Sequence, residues 1–153
     1  MDIDSAEAII NAIKLMTTQS EGLATRISTL ASEFENFNKT GRISAEVLKQ
    51  MAKWGIDASK IKNAQDYLKV MKSIYTEAKT KASDKEADYL AALNDKNLSQ
   101  DIDWSNKANQ EAYAEAFAAW NEWMSAKQIE YDTEEQYNAT KQGYLDSELA
   151  KNQ

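Results

Sequence analysis

The chain has 153 residues, with 18 Lys and Arg against 25 Asp and Glu, giving a formal charge of −7. It holds no His, Cys or Pro and four Gly, which excludes disulfides, thiolate metal sites, Cys- or His-based catalysis and the Glu-x-x-His ligands of di-iron helical bundles. The acidic balance argues against a nucleic-acid backbone or an anionic membrane surface as partner.

Hydrophobic residues make up 42% of the chain and aromatics 9%, too much for a disordered tail. The start Met1-Asp2-Ile3-Asp4 is acidic and does not read as a Sec-type signal peptide. No run of about 18 apolar residues occurs, so no transmembrane helix is expected. The absence of Pro and the scarcity of Gly favour helix throughout.

The first predicted helix covers about 4–38. Its apolar residues Ala6, Ile9, Ile13, Met16, Leu23, Ile27, Leu30, Phe34 and Phe37 recur at spacings of three and four, with Ser20 as the polar interruption. This is a heptad seam. Asn38-Lys39-Thr40-Gly41-Arg42 reads as a turn, with Gly41 as the terminator. A short helix is expected over 44–54, with Ser44 as N-cap, an Ile43–Leu48 staple and Trp54-Gly55 as its end.

Asp57 or Ser59 can cap the next helix, expected over 59–94. Its seam is Ile61, Ala64, Leu68, Met71, Tyr75, Ala78, Ala82 and Tyr89. Ser83-Asp84-Lys85-Glu86 has the form of a capping box, which predicts a break or kink near residue 83. Asn94 to Asn106 is rich in Asp, Asn and Ser and reads as a loop. The last helix is expected over 105–149, with a stripe of Tyr113, Phe117, Trp120, Met124 and Tyr131. Beyond that the pattern thins to Tyr137, Tyr144 and Leu145, so the far end is expected to fray or to need a partner.

The pattern is one all-α domain over 1–153, an elongated helical hairpin or bundle with coiled-coil seams, built from three long helices and one short one. The seam residues Ile9, Ile13, Met16, Leu23, Ile27, Leu30, Phe34, Leu68, Met71, Tyr75, Tyr113 and Phe117 are its expected core.

Candidate chemistry is sparse. Read as a twelve-residue calcium loop, 95–106 offers oxygen donors at its odd positions through nine. However, it places Gln100 where a Gly is needed and Asn106 where a bidentate Glu is needed. The alternative is a polar loop whose Asp and Ser cap the following helix. The carboxylates Glu130, Asp132, Glu134 and Glu135 read as a solvated helix face. With four scattered Gly, neither a P-loop nor a dinucleotide fingerprint can form. An enzyme is not expected, and no catalytic, cofactor or metal residue is assigned. The aromatic cluster of the last helix reads as core packing for most of its residues, with some facing a protein partner or a second copy, because Trp and Tyr dominate interface hot spots. Trp120, Trp123, Met124, Tyr131, Tyr137 and Tyr144 are the candidate partner-binding residues.

Several strings also resemble a known group. Tyr67-Leu68-Lys69-Val70 precedes Tyr75-Thr76. Asp103 and Asn106 are followed by Ala112-Tyr113, Phe117, Glu122 and Met124, and then by Tyr137-Asn138-Ala139. These are similar to the central and final helices of type III secretion needle-tip proteins and the related filament-forming translocator proteins. The resemblance covers roughly 60–80 and 103–146. It implies a non-enzymatic secreted component of a bacterial injection apparatus that assembles helix on helix. The other reading is a cytosolic helical adaptor, chaperone or phage structural protein that binds one protein partner. A calcium-responsive helical module is a third. Localisation is accordingly either secreted by a non-Sec route or cytoplasmic.

Overall fold

The computed structural model describes the backbone of residues 3–151 and the side chains of residues 22–151. The protein is all-α. Helix α1 spans Ile3–Thr40, α2 Ala45–Lys53, α3 Ala64–Asp95, α4 Lys107–Ala112 and α5 Ala114–Lys151, and a 3-10 turn covers Ala58–Lys60 between α2 and α3. No strand occurs among the described residues. The three long helices fall where the apolar 3/4 periodicity places them; the helix boundaries differ from the pattern in three places.

The capping-box string at residue 83 does not break α3, which runs unbroken through it. Ser83 and Asp84 stay on the solvent side, where a helix tolerates them. The stretch expected to open that helix at 59 is instead the 3-10 turn, capped by the Asp57 carboxylate, which accepts from the Ser59 N–H at 3.0 Å. The expected last helix is two helices, α4 and α5, interrupted at Tyr113. There are therefore two short helices rather than one.

The chain divides into two compact units, Met1–Tyr75 with Asp132–Gln153, and Thr76–Tyr131. In the first, Leu23, Ile27, Leu30, Phe34 and Phe37 of α1 are buried, as the seam predicts. Ile9, Ile13 and Met16 lie outside the residues whose side chains are described. Val47 and Met51 of α2 and Tyr67, Leu68, Met71 and Ile74 of α3 are buried with them. Each such burial contributes roughly 1.5–3 kcal/mol. Gln65 bonds Tyr144 and Tyr75 stacks on Tyr137, so α3 and α5 run antiparallel here.

Tyr67 is the hub of this unit. Its ring packs on Phe34 at 5.3 Å and on Phe37 at 5.1 Å. Its hydroxyl donates to the Leu30 carbonyl at 2.5 Å. Burial, and secondarily the nearby Glu33 charge, pushes the phenol pKa well above its ordinary value.

The α1–α2 turn is held by side chains. Gly41 takes φ +72°, the left-handed conformation that ends α1. Ser44 begins α2, but its hydroxyl makes no cap bond. Its N–H instead donates to Glu33 Oε1 at 2.6 Å, and Asn36 Nδ2 donates to the same oxygen at 2.8 Å. Partial burial raises the Glu33 pKa, and these bonds outweigh it, holding the carboxyl below its usual value. Leu48, the expected staple partner, is exposed.

Candidate interaction surface

In the Thr76–Tyr131 unit, α3 and α5 again run antiparallel. Lys85 pairs with Glu122 at 3.2 Å and Lys96 with Glu115 at 3.6 Å. Both pairs are solvent-exposed and contribute little to stability. Between the helices sit Tyr89, Leu93, Trp104 and Ala116, all buried, ringed by Leu98, Ile102, Tyr113, Phe117, Trp120 and Trp123.

The aromatic rings form a chain of contacts. Trp123 stacks on Tyr89 at 5.4 Å, Tyr89 meets the edge of Trp104 at 6.5 Å, Trp104 tilts against Phe117 at 5.9 Å, and Phe117 stacks on Trp120 at 6.2 Å. Offset and edge-on pairs of this kind add about 0.5–1.5 kcal/mol each beyond area burial. The Trp104 indole N–H donates to the Tyr89 hydroxyl at 3.0 Å. The Trp123 indole N–H is buried without a hydrogen-bond partner.

The loop after α3 is therefore part of the core. Its polar residues close its own turns. Asp103 accepts from the Ser105 N–H at 3.0 Å and from the Ser105 hydroxyl, and these bonds hold its carboxyl pKa below the usual range. Asn106 caps α4 by accepting from the Ala108 and Asn109 N–H groups. The Asp103 and Asn106 oxygens that a calcium loop would offer as ligands are engaged in this capping. Among the described residues no group of three His, Cys, Asp or Glu side chains could hold a metal, and no helix is long and apolar enough to cross a membrane.

The candidate partner-binding residues separate by place. Trp120, Trp123 and Met124 are half-buried in the Thr76–Tyr131 unit. Tyr131 is 58% exposed, with Lys127 Nζ over its ring at 5.6 Å. In the other unit Tyr137 and Tyr144 are half-buried, Tyr137 against Tyr75 and Tyr144 against Phe34 at 6.0 Å. Tyr113, Phe117 and Tyr75 are half-buried as well.

Tyr131 does not continue the stripe read from Tyr113 to Met124. The fully buried positions on α5 are Ala116, Glu130 and Thr133, small or polar residues that apolar periodicity does not single out, while its aromatic residues pack half-buried beside them. Leu145 and Leu149, further along α5, are 47% and 62% exposed. A groove of about 300 Å³ lies in the Met1–Tyr75 with Asp132–Gln153 unit. It is lined by Ala24, Ile27, Gln136 and Ala139 and by the carboxylates Asp132 and Glu135.

Trp104, Leu98 and Ile102 were missed as core residues from sequence. The signal was present: three large apolar residues inside an otherwise polar segment have to be buried against something. No family model, curated protein or solved structure matches the chain.

Proposed function

We propose that this protein is a non-enzymatic structural or interaction protein that works by helix–helix association, as a secreted component of a bacterial injection apparatus of the type III kind. The observation that carries the reading is the outward side of α5. This helix leaves Tyr131, Leu145 and Leu149 exposed. Large apolar side chains held in water at several places on one long helix suit the approach of another helix. The needle-tip resemblance supports the apparatus assignment. Its strings Tyr67-Leu68-Lys69-Val70 and Tyr75-Thr76 fall on α3, and Phe117, Glu122 and Met124 fall on α5.

A chain free of Cys and Pro also suits passage in an unfolded state, because no disulfide or prolyl isomer has to be reset on refolding. The test is light scattering coupled to chromatography over a wide concentration range, with the triple variant Tyr131→Ser/Leu145→Ser/Leu149→Ser alongside. Concentration-dependent assembly that the triple variant abolishes, with its thermal melt unchanged, is the expected result. Appearance of the protein in the culture medium of a strain with a working injection apparatus, and not of one without, tests the export half. A monomer at all concentrations, retained in the cells, overturns the proposal. A stable complex with one cytosolic protein instead would establish the adaptor reading.

A further inference from the structure

The α4–α5 joint interrupts a sequence that has every local reason to be one helix. Residues 107–119 read Lys-Ala-Asn-Gln-Glu-Ala-Tyr-Ala-Glu-Ala-Phe-Ala-Ala. Six are Ala, the strongest helix former, and none is Gly, Pro or Ser, the residues at which sharp kinks normally occur. Yet Tyr113 takes φ −125° and ψ 45°, outside the helical region. Its N–H still bonds the Asn109 carbonyl at 3.0 Å, and its carbonyl still accepts from Phe117 at 2.9 Å. The helix lapses at this one residue and resumes at Ala114.

Contacts from outside the segment hold α4. Asn109 Nδ2 donates to the Asp103 carbonyl at 3.1 Å, and Gln110 Nε2 donates to the Trp104 carbonyl. Two side-chain amides of α4 thus clamp the turn that carries Trp104. Trp104 in turn is buried against Phe117 and bonded to Tyr89. Straightening the joint would move α4 with its turn and withdraw Trp104 from the cluster.

We propose that residues 96–113 form a latch. In the closed state Trp104 plugs the aromatic cluster and holds Tyr113 bent. In the open state α4 joins α5 as one helix, and Trp104 leaves Tyr89 and Phe117 uncovered. The latch belongs to this unit alone and holds whether or not the injection-apparatus reading does.

The test is nuclear magnetic resonance on the full chain. The backbone HN–Hα coupling of Tyr113 reports φ, and the exchange rate of the Ala114 amide reports whether it gains a helical acceptor. In the wild type the coupling is expected to be large, as φ −125° requires, and the Ala114 amide to exchange faster than the bonded Tyr113 and Phe117 amides. In Trp104→Ala the coupling should fall to the helical value and the Ala114 exchange should slow by about tenfold, the protection of one added helix hydrogen bond.

Adding Ala114→Pro should restore the bent coupling. Pro is accepted at the first position of a helix and rejected inside one. If Trp104→Ala does not fold, Asn109→Ala/Gln110→Ala removes the clamp with the plug retained and is read the same way. A helical Tyr113 coupling in the wild type, or a bent one in every folded plug and clamp variant, overturns the proposal.

Discussion

Replacing Tyr67 by Phe removes one oxygen and leaves every ring contact in place. The lost interaction is the hydrogen bond from the buried hydroxyl to the Leu30 carbonyl. A neutral bond of this kind contributes about 1 kcal/mol net, because both groups would otherwise bond water. For a chain of this size that corresponds to roughly 2–4 °C in melting temperature. Replacing Tyr67 by Ala also removes the ring from between Phe34 and Phe37 and is expected to cost about 3–5 kcal/mol. Thermal and urea unfolding followed by circular dichroism measure both.

The same hydroxyl gives an independent readout. Burial raises the phenol pKa, so the fold favours the neutral form. The stabilisation is therefore complete below the ordinary tyrosine pKa of about 10 and is lost as the pH rises from there toward the folded value. In an ultraviolet titration, the difference between wild type and Tyr67→Phe should show one tyrosine ionising above the others. A Tyr67 that ionises with the exposed tyrosines, or a Phe substitution as costly as Ala, would refute the account of Tyr67 as a buried, bonded hub.

Three further predictions concern charge, turns and packing. Glu33→Gln keeps an acceptor for Ser44 but removes the charge. The Glu33 pKa is lowered in the fold, so its contribution is present above the unfolded carboxyl value and lost as the pH falls through the folded one. Wild type and variant should differ by about 0.5 kcal/mol near pH 7, after allowance for solvent screening, and converge in acid; parallel curves across the pH range would remove the charge from the explanation. Gly41→Ala and Gly55→Ala meet no atom within 4 Å but place a Cβ at φ +72° and +78°. Each should cost about 1–2 kcal/mol in chemical denaturation from backbone strain alone, and a neutral result would mean the turns relax. Ala116→Leu, at a fully buried position, should cost about 1–3 kcal/mol from overpacking, whereas Ala118→Leu, at an exposed one, should cost under about 0.5 kcal/mol. Equal effects would place the α5 register elsewhere.

These positions also mark what could be read from the sequence. The α1 seam from Leu23 to Phe37 was legible because large apolar residues at 3/4 spacing have no other face to occupy. So were the Gly41 turn and the end of α2 at Trp54-Gly55. The burial of Ala116 and Thr133 on α5 was not legible, because neither is a large apolar residue. A hydrophobic count gives more weight to Tyr131, which stands in water. The Tyr113 break was hidden for another reason. Its cause is Trp104 and two amides that act through the tertiary structure, and a run of Ala carries no sign of them. Of the candidate surface, the aromatic richness of α5 was legible, but the plug supplied by the loop was not.

The four tryptophans are distributed unevenly: Trp54 belongs to one compact unit, under the Arg26 guanidinium, while Trp104, Trp120 and Trp123 belong to the other. Indole emission is therefore a report chiefly on Thr76–Tyr131, whereas far-ultraviolet dichroism weighs all the helices by length. Unfolding curves from the two signals will superimpose only if the units melt together. A separation between them gives the difference in stability of the two units directly, with no label and no substitution.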